Sequence, residues 1–191
     1  DGTYSRGGEL CKPCAQGSGP AADQRSCAQC DPGYFSAKGT NCTRCVGGKS
    51  STKGKSECTS CPLGTYSKNG ETCKATDAGN QPAKALKLGA AAQEKCGTGT
   101  YSSGGELCKI CPLGQQPNKK QAACDSCKTK EANTFSADGK ACVPCPKGKQ
   151  PNAGRTGCDA CALGKFSNDG MPCKDADAGH QPKAGAKTAA T

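Results

Sequence analysis

Apolar and aromatic residues punctuate this polar chain singly, in short loops bounded by cysteines. The fullest loop reads C-x-x-G-x-[YF]-S-x-x-G-x-x-C and runs over Cys30–Cys42, Cys61–Cys73, Cys96–Cys108 and Cys161–Cys173. Gly2 to Cys11 is a truncated form, and Cys127–Cys142 is an expanded one. A second kind of loop, a residue longer and without an aromatic, lies at Cys14–Cys27, Cys45–Cys58, Cys111–Cys124 and Cys145–Cys158. In the first kind the second glycine closes Lys68-Asn69-Gly70, Ala137-Asp138-Gly139 or Asn168-Asp169-Gly170, which are hairpin-turn signals. Short strands such as 65–67 are expected to pair across it. The pattern predicts a small disulfide-rich fold, mostly irregular with short β-hairpins and little or no helix. Its modules follow one another in series, and an extended rod is expected.

Tyr4, Phe35, Tyr66, Tyr101, Phe135 and Phe166 occupy one place in the aromatic loops, with Tyr34 beside Phe35. One ring per loop suffices to cover one disulfide, so each is expected to act as a miniature core residue.

The loops belong to a longer repeat. Asp1 to Cys30 is matched by Thr98 to Cys127 at an offset of 97, as from Cys11 to Cys108. After three extra residues in the Cys127–Cys142 loop the offset becomes 100, as from Cys61 to Cys161. The chain therefore reads as a first unit over 1–73, a linker over 74–95, a second unit over 96–173 and a truncated linker over 174–191. Segment 83–95 has helix-forming composition but contains Gly89 and few apolar residues. The linker is expected to be a flexible or extended spacer, with a short packed helix as the alternative.

Composition shows why cysteine recurs. Of 191 residues 19 are Cys, while hydrophobic residues reach only 33% with those included, and Trp is absent. Such a chain cannot bury enough apolar surface to offset the backbone entropy of folding, so covalent cross-links are needed. Disulfides persist in oxidising compartments, which points to an extracellular or cell-surface location. If each loop is a module, its end cysteines pair: Cys14 with Cys27, Cys30 with Cys42, Cys45 with Cys58, Cys61 with Cys73, Cys96 with Cys108, Cys111 with Cys124, Cys127 with Cys142, Cys145 with Cys158 and Cys161 with Cys173. Cys11 is then expected to pair with a cysteine upstream of Asp1. Closing a loop of this size contributes about 3 kcal/mol in the chain-entropy account. The alternative closes each C-x-x-C on itself and leaves the long loops free.

Lys and Arg number 26 against 16 acidic residues, a net charge of +10 that is scattered and not in blocks. It gives a solvated surface with some attraction for anionic glycans or acidic neighbours. Asn41-Cys42-Thr43 fits the N-glycosylation sequon. The only histidine, His180, falls in a linker and reads as a surface residue. No catalytic constellation, cofactor motif or membrane span is visible.

The run CPLGTYSKNGETC at Cys61–Cys73, and the C-x-x-C pairs around it, resemble the cysteine-rich modules of ephrin receptors and tumour-necrosis-factor receptors, in their simplest single-disulfide form. Tandem arrays of this kind are similar to the C-x-x-C-rich coats of protists, namely ciliate immobilisation antigens and Giardia variant surface proteins. The resemblance implies a rod of short hairpins with an extracellular role in adhesion or recognition. That the second unit is a near-copy of the first favours a coat or filament that contacts itself, with anionic glycans or another surface protein as further partners and a membrane reached only through an anchor elsewhere. Receptor-type ligand binding is the alternative. Paired C-x-x-C motifs also have zinc-site spacing, but no basic cluster or packing helix accompanies them, so no nucleic-acid partner is expected.

Overall fold

The computed structural model describes residues 2–85, 88–179, 182 and 185. Most of the 174–191 linker, His180 included, lies outside the described residues. Contacts divide the chain into two compact units, Asp1–Lys95 with Gly104–Leu107 and Cys96–Ser103 with Cys108–Thr191.

Each unit is a series of two-stranded antiparallel ribbons, nine among the described residues. Nine disulfides close the modules: Cys14–Cys27, Cys30–Cys42, Cys45–Cys58, Cys61–Cys73, Cys96–Cys108, Cys111–Cys124, Cys127–Cys142, Cys145–Cys158 and Cys161–Cys173. These are the pairs that the module scheme names, and no C-x-x-C closes on itself. In the loops without an aromatic, the ladder ends at the closing cysteine, as where Gln115–Pro117 pairs with Cys124–Ser126 and Pro117 faces Cys124. In the aromatic loops the strand that carries the ring pairs with residues just beyond the closing cysteine. Thr65–Tyr66 thus pairs with Lys74–Ala75, and the disulfide ties the turn below the ladder. Among the described residues helix is limited to single turns. Cys127–Lys130, capped by the Ser126 side chain, absorbs the extra residues of the expanded loop.

The buried line of each unit is built mainly from the opening cysteine of every disulfide and the serine after the ring, namely Ser36, Ser67, Ser102, Ser136 and Ser167. Cys61 and Cys127 are fully enclosed, as are Ser102 and Ser136. The rings are half-buried. The rings, expected to act as miniature core residues, are thus partly covered, while the serines beside them are enclosed: neighbouring strand residues face opposite ways, and the side turned inward meets the adjacent module's backbone, where a hydroxymethyl group fits.

The serine bridges three modules. Ser67 C=O accepts from Gly48 N–H of the preceding module at 2.8 Å, and its N–H donates to Ala90 C=O of the next at 3.0 Å. Its Oγ donates to Glu71 C=O in its own turn at 2.8 Å. Ser36 repeats all three bonds, to Gly17, Lys55 and Thr40. Replacing Ser67 with Ala leaves the Glu71 carbonyl without its hydroxyl donor. The expected loss is about 1–3 kcal/mol of local stability, read as faster hydrogen exchange at the Gly48 and Ser67 amides with little change at Gly17.

Candidate functional site

No cleft with a catalytic constellation stands out among the described residues. The chemistry lies instead in what couples one module to the next and in what the modules present outward.

Coupling follows one rule. In five modules without an aromatic, a residue after the turn offers its C=O to the N–H of the serine that follows the ring of the preceding aromatic module. These residues are Gln24, Lys55, Ala90, Gln121 and Arg155, at 2.8–3.0 Å. Four of them, Gln24, Lys55, Gln121 and Arg155, have φ of 53–57°, a left-handed backbone that costs a non-glycine residue about 1–2 kcal/mol. Long side chains offset the cost. Arg155 donates to the carbonyls of Glu131, Ala132 and Thr134 at 3.4, 2.8 and 3.1 Å. Gln121 donates to Gly97 and Thr100, and Lys55 to Cys30. A second tie comes from glutamine: Gln116 Oε1 accepts from Cys142 N–H at 2.7 Å, and Gln150 Oε1 from Cys173 N–H at 2.8 Å.

The 74–95 segment, expected to be a spacer, is a module without cysteine. Asn80–Pro82 pairs with Gln93–Lys95, and Pro82 faces Gln93 as Pro117 faces Cys124. Thr76 stands where other modules carry the opening cysteine. It is 3% exposed, and its N–H donates to Gly64 C=O at 2.9 Å, as Cys45 N–H does to Gly33. Gln93 takes the closing position. In place of an S–S bond, Asp77 N–H donates to Gln93 Oε1 at 2.7 Å and Gln93 Nε2 donates to Asp77 Oδ2 at 2.6 Å. The longer loop turns through Lys84 and Ala85, both at positive φ.

Glu94 caps that turn. The backbone N–H of Lys84, then the Gln81 amide at 3.0 Å and the Ala85 N–H, hold its carboxyl below the ordinary glutamate value, against a small opposing effect of burial. A depressed acid stabilises the folded form above its unfolded pKa, near 4.3, and that contribution is lost as pH falls through the folded value. Acidification from neutrality to below pH 4 is therefore expected to lower the protection of amides in 80–95, measured against intrinsic exchange at each pH, before protection falls in the disulfide-closed hairpins.

Four of the six half-buried rings face cations. Tyr4, Tyr66, Tyr101 and Phe166 lie directly opposite Lys12, Lys74, Lys109 and Lys174. Phe35 and Phe135 lie opposite Thr43 and Val143. Lys12 and Lys109 stand 5.7 and 5.4 Å from the centroids of Tyr4 and Tyr101, and Arg44 stands 5.9 Å from that of Tyr34. Asn41 is exposed in the turn of the Cys30–Cys42 module. Cys11 is exposed, with no disulfide partner in this chain; the Tyr4–Lys12 bridge beside it repeats the Tyr101–Lys109 bridge of the module closed by Cys96–Cys108.

Together these features define a tandem repeat protein of small disulfide-closed modules, and so many disulfides are typical of extracellular or secreted proteins. No family model matches the chain, and no curated protein matches its sequence.

Proposed function

We propose that the chain is an extracellular structural repeat protein, a component of a surface coat or filament, which works through contacts with its own kind and not through catalysis. The observation that supports this most is the uniform coupling within each unit: the same serine and glycine backbone bonds join successive modules, including the module that has lost its cysteines. Selection for a binding site preserves one face of one module; selection for a continuous scaffold preserves the junctions. The resemblance to the C-x-x-C-rich coats of protists points the same way. The exposed Asn41 sequon and the net charge of +10 suit a glycosylated surface layer in contact with anionic glycans or another surface protein.

The half-buried rings backed by cations favour a second reading, a receptor-type recognition module. Sedimentation velocity across a concentration series, with electron microscopy of the native material, separates the two. The scaffold reading expects concentration-dependent assembly into periodic filaments or sheets. A chain that stays monomeric at high concentration and binds one heterologous protein tightly would refute it.

A further inference from the structure

Gly104–Leu107 belongs to the first compact unit, where it forms a turn seated on Gly64 and Thr76. Gly105 N–H donates to both the carbonyl and the Oγ1 of Thr76 at 3.0 Å. A Cβ added at Gly64 would stand 1.7 Å from the Gly105 carbonyl oxygen, and one at Gly104 would stand 3.0 Å from the Thr76 carbonyl oxygen. Glycine on both sides thus lets the two backbones touch. Gly64 and Thr76 are buried, and the four turn residues are half-buried. The repeat carries a second copy of each half. Gly7-Gly8-Glu9-Leu10 matches the turn at an offset of 97, and Gly164 with Ala176 matches the seat at an offset of 100. The second seat is built like the first: Ala176 N–H donates to the Gly164 carbonyl at 3.0 Å, as Thr76 N–H does to Gly64 at 2.9 Å. Both second copies are open among the described residues. Residues 7–10 are exposed, Leu10 at 91%. Nothing described lies within 4 Å of a Cβ added at Gly7, Gly8 or Gly164. No described acceptor takes the Gly8 N–H, and no described donor reaches the Ala176 carbonyl.

We propose that the turn at residues 7–10 of one copy docks on the seat at Gly164 and Ala176 of another, repeating the contact that Gly104–Leu107 makes within the first unit. The proposal rests on the scaffold reading above and supplies its interface. The occupant is a second copy because the chain carries both halves of a contact that it already makes. Gly8 N–H donates to the Ala176 carbonyl, and Leu10 gains the cover that Leu107 has. Seating asks for one adjustment: Gly7 has φ of 32° where Gly104 has 102°, a rotation that glycine permits. Charge favours the pairing of copies. Arg6 stands where Ser103 does, and Asp175 stands where Ala75 does, whose Cβ lies 3.7 Å from a Cβ added at Gly105. Docking therefore brings Arg6 toward Asp175 and Asp177, an attraction that Ser103 and Ala75 do not supply. Turn and seat are different surfaces, so the contact is heterologous and passes from copy to copy.

The test is sedimentation velocity of the full chain across a concentration series, with Cys11→Ser to remove association through that thiol. Half-association is expected at about 0.1 mM, as suits a small contact, and at higher concentration in strong salt. Gly164→Ala puts a methyl group where the Gly8 carbonyl must sit and should weaken association at least about tenfold. Arg6→Glu should do the same from the other side, by setting like charges against each other. Mixed in equal amounts, the two variants keep one sound turn and one sound seat. They should form a one-to-one complex that grows no further. Ala176→Thr restores the hydroxyl acceptor of Thr76 and should tighten association about three- to tenfold. Association that Gly164→Ala and Arg6→Glu leave unchanged would overturn this interface and leave the scaffold reading standing. A chain still monomeric at about 1 mM would overturn both.

Discussion

Thr76→Cys with Gln93→Cys creates a tenth disulfide and converts the one hydrogen-bonded module among the described residues into a covalent one. The two positions already match a disulfide pair. Thr76 precedes the turn glycine Gly79 by three residues, as Cys111 precedes Gly114, and Gln93 faces Pro82 as Cys124 faces Pro117. The native backbone bond from Thr76 N–H to Gly64 is the one made by Cys45 to Gly33. The Asp77–Gln93 side-chain pair is exposed and exchanges with water, so its net contribution is about 0.5–1.5 kcal/mol. A disulfide closing a loop of this length contributes about 3 kcal/mol. The doubly substituted chain should lose two hydrogens in mass on oxidation, and exchange in 76–95 should slow by at least tenfold. It should also lose the acid sensitivity expected at Glu94. Either single substitution should leave an additional free thiol and a weaker module.

The opposite extreme is Gly139→Ala. Gly139 has φ of +71°, and an added Cβ would stand 1.8 Å from the Cys111 carbonyl oxygen and 2.9 Å from Ile110 Cγ2. The first effect alone costs about 1–2 kcal/mol. The second cannot be relieved by a rotamer change, because the obstruction is the backbone of the neighbouring module at its buried cysteine. Gly164→Ala separates the two effects: its φ is +79°, but among the described residues nothing lies within 4 Å of the added carbon. Gly164→Ala should cost only the left-handed conformation. Gly139→Ala should cost at least about 3 kcal/mol and open the contact between the Cys111–Cys124 and Cys127–Cys142 modules. Hydrogen exchange at Cys127 and Ser136 would report this as roughly hundredfold acceleration, against about tenfold at the Gly164 junction. Equal effects from the two substitutions would show that packing between modules contributes little.

How much of this was legible in the amino-acid order depends on whether a position is set by chemistry or by conformation. The cysteine spacing, the turn glycines and the absence of a large apolar core are chemical and periodic, and they led to hairpins closed at their own ends. Three features were hidden. The enclosed serine beside each ring carries no signal of its own, since in a strand of two residues alternation alone cannot say which side turns inward. The module at Thr76 and Gln93 was masked by its missing cysteines, although Gly79-Asn80-Gln81-Pro82 matches Gly114-Gln115-Gln116-Pro117 and Gly148-Lys149-Gln150-Pro151. The coupling position filled by Gln24, Lys55, Ala90, Gln121 and Arg155 has no common residue type. It demands a backbone carbonyl aimed at a serine N–H, and that demand leaves almost no trace in composition.

The central claim is that covalently closed hairpins, each joined end to end within its own loop, take the place of an apolar core. Peptide mapping of the native chain under non-reducing conditions tests it most directly. The account predicts nine linked pairs, each spanning one loop as in Cys61–Cys73 and Cys127–Cys142. Links within a C-x-x-C, such as Cys42 to Cys45, or free thiols that hold zinc would contradict it.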